Sequence, residues 1–493
     1  MNFSPLPSSF YISLLGLVIF SLYAWKHRRE GWGLPMLAVL GTVAVWYHGD
    51  GLYNDYELYK MQIDEGSLNA AWWQILLFVV TFGLLVPPIH RAVNEPLLGR
   101  RSTLMLYTET PRIKHPAVQH QIDQLGKALL VAWLILMAIA LYRTNFNFGG
   151  IFMPYLEGIK SKMWARSRVG GGISALLSLG SYLQILLTAS FGVLAAVSKN
   201  PKTRIMAITI CCLAFPYYIF DRTRNAMIAT LLPGLLAWVF LSLQGRVWKK
   251  VVILVLAFLM FDFWFILVTK TNMGRSVSIA NALEMYEEEK KLKAELAELG
   301  EEYNQDERHV GLNMFHELAY IDDFIDNGTY SPNWGKRYFA EAVNVIPRGL
   351  WKNKPLVGVD YAIVRGFASK EGTNQSGAGI TASIATGMIG QGVTNFGRLL
   401  GPMAAALLMS IWVAVLARQD LMGDKPARLL LCVVGMILTF NMGRDITLFV
   451  LYPFVFGYML VLGYEWWKKR QITTAMPSAG RDQKNGSPKQ GGF

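Results

Sequence analysis

The chain is poor in cysteine and in charge, and each shortage excludes something. Only three cysteines occur in 493 residues, Cys211, Cys212 and Cys432, and all lie inside apolar runs. That excludes a disulfide framework and a thiolate zinc site. Charged residues make up 16% of the chain and hydrophobic residues 53%, whereas soluble domains carry about 25% charge. A chain so apolar is built for lipid. There is no phosphate-cradling Gly-rich loop ending in Lys-Ser/Thr, no His-Glu-x-x-His, no Gly-x-Ser-x-Gly and no metal-ligand spacing. No cofactor and no metal is therefore expected. The net charge of +13 would suggest nucleic acid in a soluble protein. Here it is read as cytoplasmic anchoring and a taste for anionic ligands, with no nucleic acid as partner.

Long apolar runs are what the chain has instead. Candidate membrane helices fall at 9–25, 33–48, 71–90, 127–145, 173–197, 204–220, 225–244, 250–269, 395–417, 426–442 and 446–466. Most approach the ~20 residues that cross hydrocarbon. The expected fold is all-α and polytopic, with about 11 transmembrane helices. The N-terminus lacks a basic region before its apolar core, so it reads as an uncleaved first span. "KHRRE", "RAVNEPLLGRR", "SKNPKTR", "GRVWKK", "ARQDLMGDKPAR" and "WWKKRQ" follow spans 1, 3, 5, 7, 9 and 11. Basic loops stay in the cytoplasm, which places the N-terminus outside and the C-terminus inside. The expected organisation is spans 1–8 over 1–269, one large extracytoplasmic loop with short helices over 270–394, spans 9–11 over 395–466, and a disordered cytoplasmic tail over 467–493.

This topology leaves a set of arginines on the outer face, where orientation gives them no role. "FDRTRNAMIA" places Arg222 and Arg224 in a tight turn, and Arg143, Arg166, Arg168, Arg275, Arg337, Arg348, Arg365 and Arg444 join them. Any one of them could snorkel to the interface or pair with an acid such as Asp221 or Asp445. Taken together they suit an anionic ligand, because a guanidinium is always charged and grips phosphate with a planar fork. The outer loop opens on a charged helical stretch, "NALEMYEEEKKLKAELAELGEEY", read as a solvated helix. It continues to "HVGLNMFHELAYIDDFIDNGTY", where His316, Tyr320 and Asp323 share a helical face. His309 and His316 are the outer-face candidates for a base, with Glu317, Asp322 and Asp323 nearby; a histidine here could equally be a plain surface residue. Asp262, in span 8, is either functional or bonded to a neighbouring helix. "NQSGAGITASIATGMIGQGVTNFGRLLG" is rich in small residues and permits close helix packing or a re-entrant turn.

Four stretches, in order, carry a resemblance: "RTRNAMIA", "IPRGLWKNKP", "SGAGITASIATGMIG" and "FNMGRDITLFVLYPF". Over roughly residues 140 to 465 the chain resembles the Wzy-type oligosaccharide repeat-unit polymerases, which include the O-antigen and enterobacterial-common-antigen polymerases. It departs from them at Lys352, where a proline is common, and in lacking Gly-Glu-x-Tyr before Asn-Phe-Gly. The resemblance implies a GT-C-like helical membrane glycosyltransferase in the bacterial cytoplasmic (inner) membrane, with its site on the periplasmic face. Such an enzyme moves a growing glycan from undecaprenyl pyrophosphate onto the non-reducing end of an incoming lipid-linked repeat unit, without a metal. Its implied partners are undecaprenyl-pyrophosphate-linked oligosaccharides, the lipid bilayer, a chain-length regulator and a flippase. By motif, Arg224, Arg348, Lys354 and Arg444 are the implied pyrophosphate- and glycan-binding residues, Arg222 is an added cation, and His316 or Glu317 is the candidate base. The alternatives are an O-antigen-ligase-like transferase acting on lipid A core and a lipid-linked glycan transporter or flippase.

Overall fold

The computed structural model describes residues 6–54, 56–98, 115–152, 164, 173–220, 224–239, 248–250, 252–257, 259–260, 284, 287–288, 291, 313–343, 346, 350–351, 353–366, 384–421, 425–444, 446 and 448–475. Among these residues the architecture is all helical, with no strand. In chain order the helices are α1 (Ser8–Lys26), α2 (Gly33–Val43), α3 (Gly49–Tyr53), α4 (Tyr56–Gln62), α5 (Glu65–Asn94), α6 (Pro116–Arg143), α7 (Phe148–Phe152), α8 (Ile173–Val197), α9 (Pro201–Phe220) and α10 (Arg224–Ala237). They continue with α11 (Met314–Asp326), α12 (Lys336–Val343), α13 (Val359–Val364), α14 (Gly387–Asp420), α15 (Pro426–Met442) and α16 (Leu448–Ala475). A wide turn at Ala44–His48 joins α2 to α3 without a break. Among the described residues, five stretches are long and apolar enough to cross a membrane: Ser8–Lys26, Glu65–Leu97, Pro116–Arg143, Gly180–Val197 and Gly387–Asp420. Shorter apolar helices occupy Met227–Ala237 and Pro426–Met442. This is the composition of an all-α membrane protein.

Several helix boundaries differ from the expectation: α5 begins at Glu65 rather than 71, and α6 at Pro116 rather than 127. α16 runs on through 475, past the end expected at 466, because "EWWKKRQ" favours helix and Arg470 folds back over the Trp466 ring at 3.8 Å. α14 begins at Gly387 rather than 395, inside what reads as the loop. It is also not one rod. Gly397 has φ +78° and ψ −176°, outside helical space, and the chain reverses there. In a straight helix Gly392 and Gly401 would stand roughly 13 Å apart. Here their backbones touch, so that a Cβ on Gly401 would lie 2.5 Å from the Gly392 carbonyl carbon. Residues 387–396 therefore form a short re-entrant arm, packed against a long arm that starts at Arg398. The small-residue run makes that approach possible.

Hydrogen bonds sort the helix ends into two groups. Gln74 Nε2 and Arg398 Nε both donate to Asp322 Oδ1, and twenty residues on Asn94 Nδ2 donates to the Ala414 carbonyl at 2.9 Å. So α5 and the long arm of α14 run side by side in the same direction. α15 runs back: Arg428 Nη1 reaches Gln419, and Trp412 Nε1 reaches Thr439 Oγ1 at 2.9 Å. α16 reverses again, and Arg428 and Lys425 grip Glu465. α8 and α10 cross at Gly192 and Gly234, where a Cβ on Gly234 would meet Gly192 backbone at 2.8 Å. At one end of the bundle lie the start of α5, the end of α15 and the amphipathic α11. At the other lie the end of α5 and the start of α15.

Candidate functional site

The site is organised by α11, a 13-residue helix that lies across the first of these bundle ends. Its N-cap, Asn313, makes no side-chain cap, so the orphan amides of the first turn need an outside acceptor. Asp50 of α3 supplies it. Asp50 Oδ2 accepts the Phe315 and His316 N–H groups at 2.8 and 3.1 Å, while Oδ1 accepts Tyr59 O–H at 2.7 Å and Asn54 Nδ2 at 2.5 Å. A carboxylate from a distant helix caps α11 and complements its dipole. Asp50 is completely buried. Burial outweighs the four donors and pushes its carboxyl up to about 7.

His316 stands on this support. Its imidazole stacks on Tyr59 at 4.2 Å with the planes 12° apart, and leans on Tyr320 at 4.6 Å. Burial, and then the charge of Arg365, hold it down to about 3. Its Nε2 is buried and has no hydrogen-bond partner among the described residues. A neutral ring with that basicity is a weak proton acceptor at pH 7, though it can still offer an N–H or a lone pair to a ligand.

Glu317 points the other way and is fully buried. It accepts Tyr361 O–H at 2.6 Å and Arg365 Nη2 at 3.3 Å. The Arg365 guanidinium also lies 3.9 Å from the Tyr320 ring centre. In this arrangement Glu317 is the counter-ion that holds Arg365 beside His316. Further along α11, Asp322 is buried against Gln74 and Arg398, and Arg398 also reaches Asp326. These bonds tie α11 to α5 and to the hinge of α14. Burial still pushes the Asp322 carboxyl upward, with Arg398 opposing.

The re-entrant arm completes the end of the bundle. The N–H groups of Gly387 and Met388 donate to the carbonyls of Arg444 and Gly443 at 2.6 and 3.1 Å, and Ile389 N–H donates to Tyr47 O–H oxygen at 2.9 Å. Gln391 clamps Ile446 through both its N–H and its carbonyl. A Cβ on Gly387 would lie 3.4 Å from Met314 Cβ, so the arm abuts the first turn of α11.

Of the residues singled out in the sequence, the structure brings His316 and Glu317 together with Arg365, and sets Arg444 one layer away. The Arg444 guanidinium lies 6.0 Å from the Trp46 ring centre. Lys354 is buried and donates to the Ile346 carbonyl at 2.8 Å, closing a turn of the loop. Arg224 is the first residue of α10, and its side chain lies outside the described residues. So do Arg222, Arg348, Asp262, His309 and most of the charged helical stretch. Asp50, Tyr59, Tyr361 and Arg398 are the partners that sequence reasoning passed over. Asp50 had a signal, an acid placed just beyond an apolar run in "WYHGDGLY". Among the described residues no group of three or more His, Cys, Asp or Glu side chains could hold a metal ion. Comparison of the chain with models of known families, with curated proteins and with solved structures gave no match.

Proposed function

We propose that the chain is a Wzy-type polymerase, an integral-membrane glycosyltransferase with eleven spans, N-terminus outside, that extends lipid-linked glycan at the outer face of the bacterial inner membrane. The observation that carries the reading is a convergence. The Gly-rich segment and the late "GRD" turn, two of the four stretches behind the resemblance, are joined by the Gly387 to Arg444 hydrogen bond. The Gly-rich segment in turn abuts the first turn of the helix that bears His316 and Glu317. The placed helix ends also agree with the alternation of basic loops, since Lys26 at the end of α1 and Lys425 and Arg428 at the start of α15 belong to the end away from α11.

In the proposed reaction an acceptor hydroxyl of the incoming unit attacks the anomeric carbon of the growing chain. The bond from that carbon to the pyrophosphate oxygen breaks, undecaprenyl pyrophosphate departs, and the hydroxyl proton passes to that leaving oxygen or on to water. Negative charge grows on the leaving oxygen, and prearranged cations stabilise it. Arg224 and Arg444 are assigned that role, with Arg222, Arg348 and Lys354 in support. The weak basicity of His316 fits a loose transition state, in which the hydroxyl proton leaves late and a strong base adds little. His316 Nε2 then orients the acceptor rather than deprotonating it early.

The test is deletion of the gene followed by complementation, with surface glycan resolved on a gel and membrane protein levels matched by blot. Loss should leave single capped repeats, and the parent chain should restore the ladder. Arg224→Ala should lower turnover by ~10²–10³, the usual loss for one such donor, and Arg224→Lys should retain part of it. A full ladder in the deletion strain would refute the reading. Bare core with polymer held on the carrier lipid would replace it with a ligase.

A further inference from the structure

The helix α12 is inside out. Its buried residues are Arg337, Ala340 and Glu341, the two charged ones being only 3% and 5% exposed. Its outward positions are Lys336, Phe339 and Ala342, and Phe339 is 54% exposed. Two neighbours add to the same surface: Trp334 at 74% and Leu350 at 82%. Phe339 and Trp351 meet edge to face at 6.3 Å. In a helix facing water the charged stripe turns outward and the apolar stripe inward. Exposing Phe and Trp on the outward face costs free energy if the outer medium is water.

The medium next to α12 can be read from its attachment. Asn333 and Trp334 donate their N–H groups to the Thr394 and Asn395 carbonyls at 3.0 and 2.7 Å, and Tyr338 N–H reaches Asn395 Oδ1. Gly335 packs on Phe396, and Pro332 packs at Gly397. α12 is thus fastened to the hinge of α14. Immediately beyond that hinge the long arm begins, and its exposed apolar residues are Leu399, Leu400, Met403, Leu407, Leu408 and Ile411, the face that a membrane span turns to hydrocarbon. Trp334 also sits at φ +54°, a conformation costly for a bulky side chain. It is held there with its indole pointed outward. Aromatic side chains at the edge of a hydrocarbon face are the pattern of the membrane–water boundary, and a lysine at the rim can reach up to the headgroups.

We propose that α12, with Trp334 and Leu350, is seated in the lipid interface, and that the bilayer itself covers its outward face. The exposed row of α14 and the aromatic cluster of α12 then form one continuous lipid-facing surface. The buried charges of α12, Arg337 and Glu341, face the protein. Arg337 lies close to Tyr361 and Gly358, and so on the side of the Glu317–Arg365 pair. This seat depends only on the chain's being a membrane protein, whatever its reaction.

The experiment uses the full chain with its three cysteines replaced, reconstituted in phosphatidylcholine nanodiscs. Single nitroxide labels are placed at 334, 339 and 350. Label at Asn327, exposed at the end of α11, serves as the water reference, and label at Leu407 serves as the lipid reference. Collision with dissolved oxygen, which concentrates in lipid, is compared with collision with a water-soluble nickel chelate. The expected result is oxygen-dominated relaxation at 334, 339 and 350, like that at 407 and opposite to that at 327. Nickel-dominated relaxation at these sites would overturn the proposal by placing α12 in water. Shielding from both reagents would overturn it too, by showing that a second copy or another protein covers the face. Any label that disturbs the fold is recognised by comparing its thermal midpoint with that of the cysteine-free parent, and a smaller bimane fluorophore on a cysteine at 339, read by quenching from brominated lipid, then tests the same face.

Discussion

The carboxylate of Asp50 accepts the backbone N–H of His316 at 3.1 Å across 266 positions of sequence. It takes the Tyr59 hydroxyl at the same time, and Tyr59 is the ring on which His316 stacks. One buried side chain thus fixes both the helix that carries His316 and the surface beneath it.

Asp50→Ala leaves two helix amides, a phenol and an amide donor without their acceptor. The expected loss is more than about 2 kcal/mol, since each stranded buried group costs about 1–3 kcal/mol. Tyr59→Phe keeps the stack, loses one bond, and should cost about 1 kcal/mol. Thermal unfolding in detergent at pH 7 checks both. Equal losses for the two variants would show that Asp50 is not the organising group.

Asp50 and His316 should pull stability in opposite directions as pH changes. His316 falls from its ordinary 6.5 to about 3 on folding, so between those values the unfolded chain binds the extra proton. Its contribution is present above pH 6.5 and drains away as pH drops toward 3, amounting to about 2 kcal/mol between pH 6.5 and 5. Asp50 rises from 3.8 to about 7, so the folded chain holds the extra proton, and that contribution is lost as pH rises through 7. His316→Phe should therefore flatten the acid loss, and Asp50→Asn should steepen it. Melting curves from pH 5 to 7.5 read both slopes, and unchanged slopes would count against the buried titration of either group.

The Gly392–Gly401 contact predicts a sharp contrast between two glycines. Gly401→Ala drives a methyl into the Gly392 carbonyl and the Val393 amide, backbone that cannot swing aside. It should cost several kcal/mol, at or beyond the usual range of about 1–3 kcal/mol for overpacking. Gly463→Ala meets nothing within 4 Å in α16 and should be neutral or gain up to about 1 kcal/mol of helix propensity. Detergent melts of both variants decide it. If Gly401→Ala is harmless, the arm does not fold back at Gly397.

Removing Arg365 should harm the fold more than exchanging its whole pair. Arg365→Ala strands the buried Glu317, at a cost of about 3–5 kcal/mol. Arg365→Met combined with Glu317→Gln removes both charges, leaves an acceptor for Tyr361, and should recover most of the stability. Arg365→Lys keeps the charge while losing the planar stack on Tyr320, at about 0.5–2 kcal/mol. A double-variant cycle followed by melting temperature measures the coupling, and strict additivity would mean that the pair is not coupled.

Much of the helical content was legible because apolar runs announce themselves. α1, α5, α6 and α8 follow directly from theirs, and α11 from the spacing of His316, Tyr320 and Asp323. A re-entrant turn was legible as one of two options for the small-residue segment, but its place at Gly397 was not, because "TNFGRLLGPM" reads as the start of an ordinary span and one residue's φ decides it. Glu317 with Arg365, and Asp322 with Arg398, join distant segments through single side chains, which no local period encodes. The orientation of α12 escaped for another reason: its amphipathic pattern is plain, but sequence alone does not say which medium lies outside. Lys354 reads as a ligand by motif, and its donation to the Ile346 carbonyl was not legible in the sequence.

The parallel packing of α5 on the long arm of α14 has a consequence for biogenesis. Asn94 bonds to a carbonyl 320 positions further on. At roughly 5–20 residues per second, α5 leaves the ribosome about 15 to 60 seconds before that carbonyl exists. During that interval Gln74 and Asn94 stand in or near the bilayer without their final partners. The early helices therefore wait at the membrane for partners that only the later chain supplies. Chains interrupted before residue 387 should accumulate there or be degraded, however well their own segments insert.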